Sequence, residues 1–88
     1  MFSGIFGDDI CTHLKHRHSG EQWSLWDLHA AERLARASLP SIRAHDPKDG
    51  RNKRCYSLPE LLAFLDAFFV SGLDADTAKR LTAAAHRL

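Results

Sequence analysis

The chain lacks the features that mark several large classes of protein. It has only 2 cysteines in 88 residues, whereas small secreted domains held by disulfides usually have four or more. The start has no basic segment followed by a long apolar run, and the longest apolar stretch, residues 61–70, is interrupted by Asp66. These absences predict a cytoplasmic protein with reduced thiols and with neither a signal peptide nor a membrane span.

Charge of one sign is not in excess either. The formal net charge is +1, so the strong basic field of many nucleic-acid-binding proteins is missing. The sequence also has no glycine-rich phosphate loop, no serine in a nucleophile-elbow context and no C-x-x-C or H-E-x-x-H spacing. We therefore expect a protein without enzymatic activity and without a cofactor.

Helix start and stop signals dominate what the sequence does contain. Ser24 and Ser57 each begin an S-x-x-[DE] capping box, and Asp74 is a typical N-cap. Together with glycines and prolines at suitable stops, they predict helices over about residues 8–17, 25–38, 58–71 and 75–88. The predicted fold is an all-α, compact bundle of these four short helices in a single domain, residues 1–88.

The polar stretch 41–57 separates the second and third predicted helices. It contains the turn sequence DPKDG, in which Pro47 fixes φ and Gly50 tolerates a positive φ. Because neither flank alternates cleanly between apolar and polar residues, the prediction is a loop or a minimal hairpin. A helical domain that carries a small hairpin at this place is the alternative.

Helical periodicity assigns the residues of the second helix to two faces. One broad apolar side is predicted to pack on the core. Its stripe consists of Trp23, Trp26, Ala30, Leu34 and Ala37, and Leu28, Ala31 and Ala35 widen it. A polar face is predicted to meet solvent: His29, Glu32, Arg33 and Arg36.

The segment CTHLKHRH resembles a metal site in composition but not in geometry. On a helix, Cys11 and His18 lie on one side while His13 and His16 lie on the other, so the four side chains cannot converge on one zinc ion. A site would have to combine Cys11 and His18 with a distant ligand such as Cys55. We therefore predict no metal site, and expect Cys11 to be a small buried side chain.

Aromatic residues at exposed places support the leading functional hypothesis, a small regulator or inhibitor that binds a larger protein. Trp23 and Trp26 lie at a predicted helix start, and Phe2 and Phe6 lie in a terminal segment that is too short to bury both. Such residues often dominate the binding energy of protein interfaces. The size is typical of bacterial or phage accessory proteins, and a chain this small can also extend its core across a homodimer interface.

A DNA-binding transcriptional regulator is the alternative hypothesis. The predicted helices within residues 58–88 loosely follow the order of a helix-turn-helix, and residues 48–54, KDGRNKR, are basic. In this interpretation eight cations contact nucleic acid: Arg43, Lys48, Arg51, Lys53, Arg54, Lys79, Arg80 and Arg87.

Overall fold

The fold combines four helices with four β-strands in the computed structural model, which describes residues 1–88. In chain order the elements are β1 (Ser3–Phe6), α1 (Gly7–Thr12), α2 (Leu25–Leu34), β2 (Ser41–Asp46), β3 (Arg51–Ser57), α3 (Leu58–Phe68), α4 (Ala75–Ala84) and β4 (His86–Arg87). The protein is therefore mixed α/β, and the predicted all-α helical bundle is wrong.

All four strands form one antiparallel sheet in the order β2-β3-β1-β4. β1 is a central strand, with Ile5 opposite Tyr56 of β3 and Gly4 opposite His86 of β4. Residues 41–57 form the hairpin β2–β3, and Gly50 in its turn has the positive φ that its sequence predicts. The alternative with a small hairpin came closer to the structure, but it too lacked β1 and β4.

The hydrophobic core lies between the sheet and the helices. Two strands contribute Ile5 and Tyr56, and the inner face of α3 contributes Leu61 and Leu65. Leu81 of α4 is fully buried in the same cluster. Because α3 begins directly after β3 and α4 leads into β4, the strands hold both ends of this helical pair next to the core.

The predicted helix starts are more accurate than the predicted ends. Ser24 and Asp27 form the capping box of α2, and Asp74 accepts a hydrogen bond from the Thr77 backbone N–H at the start of α4. Ser57 precedes α3 as predicted, but its hydroxyl donates to Glu60 and does not cap the helix. All four helices end earlier than predicted, and α4 stops at residue 84 because the chain turns into β4.

Candidate binding surface

The outer face of α2 carries large apolar side chains in contact with solvent. Trp26 is 70% exposed and Leu34 is 77% exposed, and Leu25 is nearly half exposed. The guanidinium of Arg33 lies 5.2 Å from the centre of the Trp26 ring, which restrains the indole by a cation–π contact. We call the residues Leu25, Trp26, His29, Arg33 and Leu34 the α2 outer face.

The inner face of α2 explains this orientation. Leu28 and Ala31 are buried in the core, and Glu32 beside them is only 7% exposed. The Glu32 carboxylate accepts a hydrogen bond from the Leu39 backbone N–H at 3.1 Å and lies 3.6 Å from the Arg54 guanidinium. The predicted orientation of α2 is therefore wrong for Trp26 and Leu34, which face solvent, and correct for Leu28 and Ala31, which are buried. Ala30 and Ala37 are half-buried, and Trp23, which precedes the helix, is buried.

A groove of about 610 Å³ separates α2 from the hairpin β2–β3. We call it the arginine groove, because Arg43, Arg51 and Arg54 line it together with His29 and Tyr56. A second concavity of about 380 Å³ next to Trp26 shares His29 and Arg54 with it. The α2 outer face and the hairpin thus form one continuous surface.

Tyr56 and Arg54 give the groove a well-ordered wall. The Arg54 guanidinium lies 4.5 Å from the centre of the Tyr56 ring, and it donates to Ser41 Oγ at 2.8 Å and to the Leu39 carbonyl at 3.2 Å. Tyr56 Oη lies 3.5 Å from His29 Nε2. Burial raises the pKa of the Tyr56 phenol, so the hydroxyl stays neutral and serves as a hydrogen-bonding group.

Carboxylates neutralise much of the basic hairpin. Lys53 Nζ lies 3.2 Å from Asp8 Oδ2 and 3.2 Å from Asp46 Oδ2, and it also contacts Asp49. The Asp49 carboxylate, followed by Asp8 and Asp46, raises the pKa of Lys53 well above its usual value. Hydrogen bonds from the Lys48 backbone N–H and from Lys53 lower the pKa of Asp46. The charge of Lys53 is therefore largely neutralised by carboxylates of the protein itself.

Two arginines of the groove form no ion pair with a carboxylate. Arg43 and Arg51 are exposed and line the groove from β2 and β3. Lys48, by contrast, pairs with Asp9 of α1, and that contact raises the pKa of the amine. Arg43 and Arg51 are therefore the groups best placed to attract an anionic ligand.

The residues predicted to contact a protein partner divide into buried and exposed ones. Phe6 and Trp23 lie in the interior, where Trp23 packs edge-on against Phe68 and Phe69. Phe2 is half-buried, and its backbone pairs with that of Leu88. Trp26 alone of the four has a mostly exposed ring, so it is the member of this set that a partner can reach directly.

The cations predicted to contact nucleic acid do not share one surface. Those of the hairpin lie at the β2 edge of the sheet, whereas Arg87 lies on β4 at the opposite edge. Lys79 and Arg80 are on α4, which packs against α1 and α3. Arg80 Nε lies 3.5 Å from Asp76 Oδ2 in the first turn of α4, where acidic side chains would meet the phosphates of a duplex.

The three candidate metal ligands, Cys11, His18 and Cys55, do not form a metal-binding arrangement. Cys11 and Cys55 are buried free thiols, while His18 is exposed in the segment after α1. Burial, followed by the charges of Asp27 and Asp8, raises the pKa of Cys11 to about 11, and burial likewise raises the pKa of Cys55. No group of three or more metal-ligating side chains comes together in the chain.

The sequence does not indicate Leu25 and Leu34 as surface residues or His29 and Tyr56 as residues of the groove. The prediction that His29 meets solvent agrees with the structure, but nothing local in the sequence indicates that it lies opposite a hairpin. The orientation of α2 follows from the burial of Glu32, because a helix that turns this residue inward must turn another side outward. The sequence does not reveal that burial, since it depends on the hydrogen bond from the Leu39 N–H to the Glu32 carboxylate.

Comparison with known proteins gives no assignment, because no family model, curated protein or solved structure matches this chain. The longest helix, α3, has 11 residues, and no helix has the length and apolar character needed to cross a membrane.

Proposed function

We propose that this protein is a small non-enzymatic regulator or inhibitor that docks on a larger protein through the α2 outer face. The observation that carries the proposal is the exposure of Trp26 and Leu34 on a helix that buries Glu32. Exposing a tryptophan and a leucine on one side forgoes the free energy of burying them in the core. A partner that covers this face would recover that free energy.

The composition and rigidity of the face support docking. Tryptophan and arginine are the residues most enriched among energetic hot spots, and here Arg33 lies against Trp26. The capping box of Ser24 and Asp27 fixes the first turn of the helix, in which Trp26 lies. A preordered aromatic anchor loses little conformational entropy when it binds.

The buried thiols support a non-enzymatic role and a cytoplasmic location. Cysteines with raised pKa values are poor nucleophiles at neutral pH, which favours a binding role over covalent catalysis. Free thiols are also typical of a reducing compartment, which supports a cytoplasmic location.

The test is a comparative capture experiment. Wild-type protein, Trp26→Ala and Val70→Ala are immobilised and exposed to an extract of the cells that express the protein, and bound proteins are quantified by mass spectrometry. Val70 is the matched control, because it is an exposed apolar residue far along the chain from α2. Circular dichroism confirms that all three variants are equally folded.

We expect a specific partner to be retained by wild type and by Val70→Ala. Trp26→Ala should lose it, since a hot-spot truncation of about 2 kcal/mol weakens affinity roughly thirtyfold. A partner retained equally by Trp26→Ala would contradict docking through the α2 outer face.

DNA binding through the hairpin and the α3–α4 pair remains the alternative proposal. Exposed Arg43 and Arg51 support it, whereas the carboxylates around Lys53 and the acidic start of α4 weigh against it. Titration of a labelled duplex at several salt concentrations tests it, because phosphate contacts give a steep log–log dependence of affinity on salt.

A further inference from the structure

β2 lies at the edge of the sheet and has a free outer side. It pairs with β3 only, and no other element packs closely on it. Ile42, Arg43 and His45 are all exposed. The strand has six residues, which is a usual length for a strand that pairs on both sides. It is therefore accessible along its length to another extended chain.

The pairing pattern identifies the backbone groups on that outer side. The Ser57 N–H donates to the Pro40 carbonyl at 2.9 Å, one residue before the β2–β3 register begins at Ser41 opposite Tyr56. Antiparallel pairs alternate between hydrogen-bonded and non-hydrogen-bonded, so the residues at 42, 44 and 46 bond to β3. The backbone N–H and C=O groups of Ser41, Arg43 and His45 consequently point away from the sheet.

Arg43 places at this edge a positive charge that no carboxylate of the protein neutralises. Arg43 stands directly opposite Arg54 in the ladder, and like charges in directly opposite positions destabilise a strand pair. Arg54 contacts Tyr56, donates to backbone and hydroxyl acceptors and lies 3.6 Å from the Glu32 carboxylate, whereas Arg43 has no ion-pair partner. A carboxylate placed next to Arg43 would remove this repulsion.

The same charge disfavours a second copy of the chain as the occupant. Two β2 strands that pair antiparallel through their outer groups in full register bring the two Arg43 residues, one from each copy, opposite each other. Charged side chains on an edge strand are a common means of preventing such self-association. The complementary occupant is an extended segment with acidic side chains.

We propose that the outer edge of β2 binds an acidic, extended segment of a partner protein by strand addition. The partner's backbone pairs with Ser41, Arg43 and His45, while its carboxylates face Arg43 and the arginine groove. Alternate residues of an added strand point to one face, so acidic residues at every second position meet the arginines together. This inference rests on the proposed function, since it supplies a second contact for the same partner.

The experiment uses a capped eight-residue peptide with glutamate at every second position and threonine or valine between. Binding to the isotope-labelled full chain is followed by NMR, and amide hydrogen exchange is measured residue by residue. With peptide at about ten times Kd, exchange at Ser41, Arg43 and His45 should slow about tenfold, because only the free fraction exchanges. The amides of Ile42 and Ala44, already bonded to β3, are the internal control.

Two control peptides and one variant make the test specific. Replacing glutamate by lysine should abolish binding, and methylating the four central amide nitrogens should abolish it as well. Arg43→Glu should reverse the preference toward the lysine peptide. Binding that survives methylation would show ionic contact without strand addition and would overturn the proposal, as would unchanged exchange at the three outer residues.

Failure here is distinguishable from failure of docking through α2. Trp26→Ala should bind the acidic peptide with unchanged affinity, because Trp26 does not lie on β2. If the peptide does not bind while partner capture still depends on Trp26, strand addition is wrong and docking stands. If the peptide binds while capture is independent of Trp26, the α2 outer face is not the docking site.

Discussion

Helices α2 and α3 have similar lengths, 10 and 11 residues, but use their apolar residues in opposite ways. α3 buries Leu58, Leu61 and Leu65 against the sheet. α2 leaves Trp26 and Leu34 in solvent and turns a glutamate toward the interior. The apolar content of a helix therefore limits how much of it can be buried, whereas the neighbouring elements decide which side is buried.

The two helices should differ most in the free energy of unfolding that is lost when a leucine is replaced by alanine. Leu65→Ala removes a fully buried side chain of α3 and should lower the free energy of unfolding by about 2–5 kcal/mol. Leu34→Ala removes an exposed leucine of α2 and should change it by no more than about 0.5 kcal/mol. Urea denaturation measures both values, and similar losses for the two variants would contradict the orientation of α2.

The glutamates of the two helices provide the next contrast. Glu32→Ala leaves the buried Leu39 N–H without its acceptor and should cost about 1–3 kcal/mol. Glu32→Gln keeps an acceptor oxygen and should cost less. Glu60→Ala is the control: it removes an exposed glutamate of α3 that accepts a hydrogen bond from the Ser57 hydroxyl only, and it should cost less than Glu32→Ala. Equal thermal stabilities of Glu32→Ala and Glu60→Ala would show that Glu32 is not a structural residue.

Acid below about pH 4 should weaken the start of α2. The Ser24 backbone N–H, with His16 and the Ser24 hydroxyl, lowers the pKa of the Asp27 carboxyl. A lowered pKa in the folded state means that Asp27 stabilises the fold above its ordinary value of about 3.9, and that this contribution is lost as the pH falls through the folded-state pKa. The difference in melting temperature between wild type and Asp27→Asn should therefore shrink below about pH 4, and a constant difference would contradict this role.

Local signals in the sequence were sufficient for some of these features. Ser24 and Asp74 act through hydrogen bonds within three residues, so they could be recognised without a structure. The turn at Gly50 was equally local. By contrast, β1 pairs with β3 about fifty residues away, and its four residues SGIF contain no alternating pattern long enough to indicate a strand.

The candidate surface also combines features that the local sequence indicates with features that depend on distant contacts. Trp26 could be proposed from its residue type, but Trp23, three residues earlier, has the same type and is buried. What separates them is the aromatic cluster with Phe68 and Phe69 around Trp23, which depends on how α3 packs. The arginine groove likewise requires the pairing of β2 with β3 and could not be predicted from the basic segment alone.

The different environments of the two tryptophans test the central claim most directly. In Trp26→Phe the only remaining indole is Trp23, which is 5% exposed. Its fluorescence should shift to shorter wavelength than that of wild type, and acrylamide should quench it several-fold less efficiently. If the remaining emission is instead at long wavelength and readily quenched, Trp23 is the exposed tryptophan and the account of the α2 outer face is wrong.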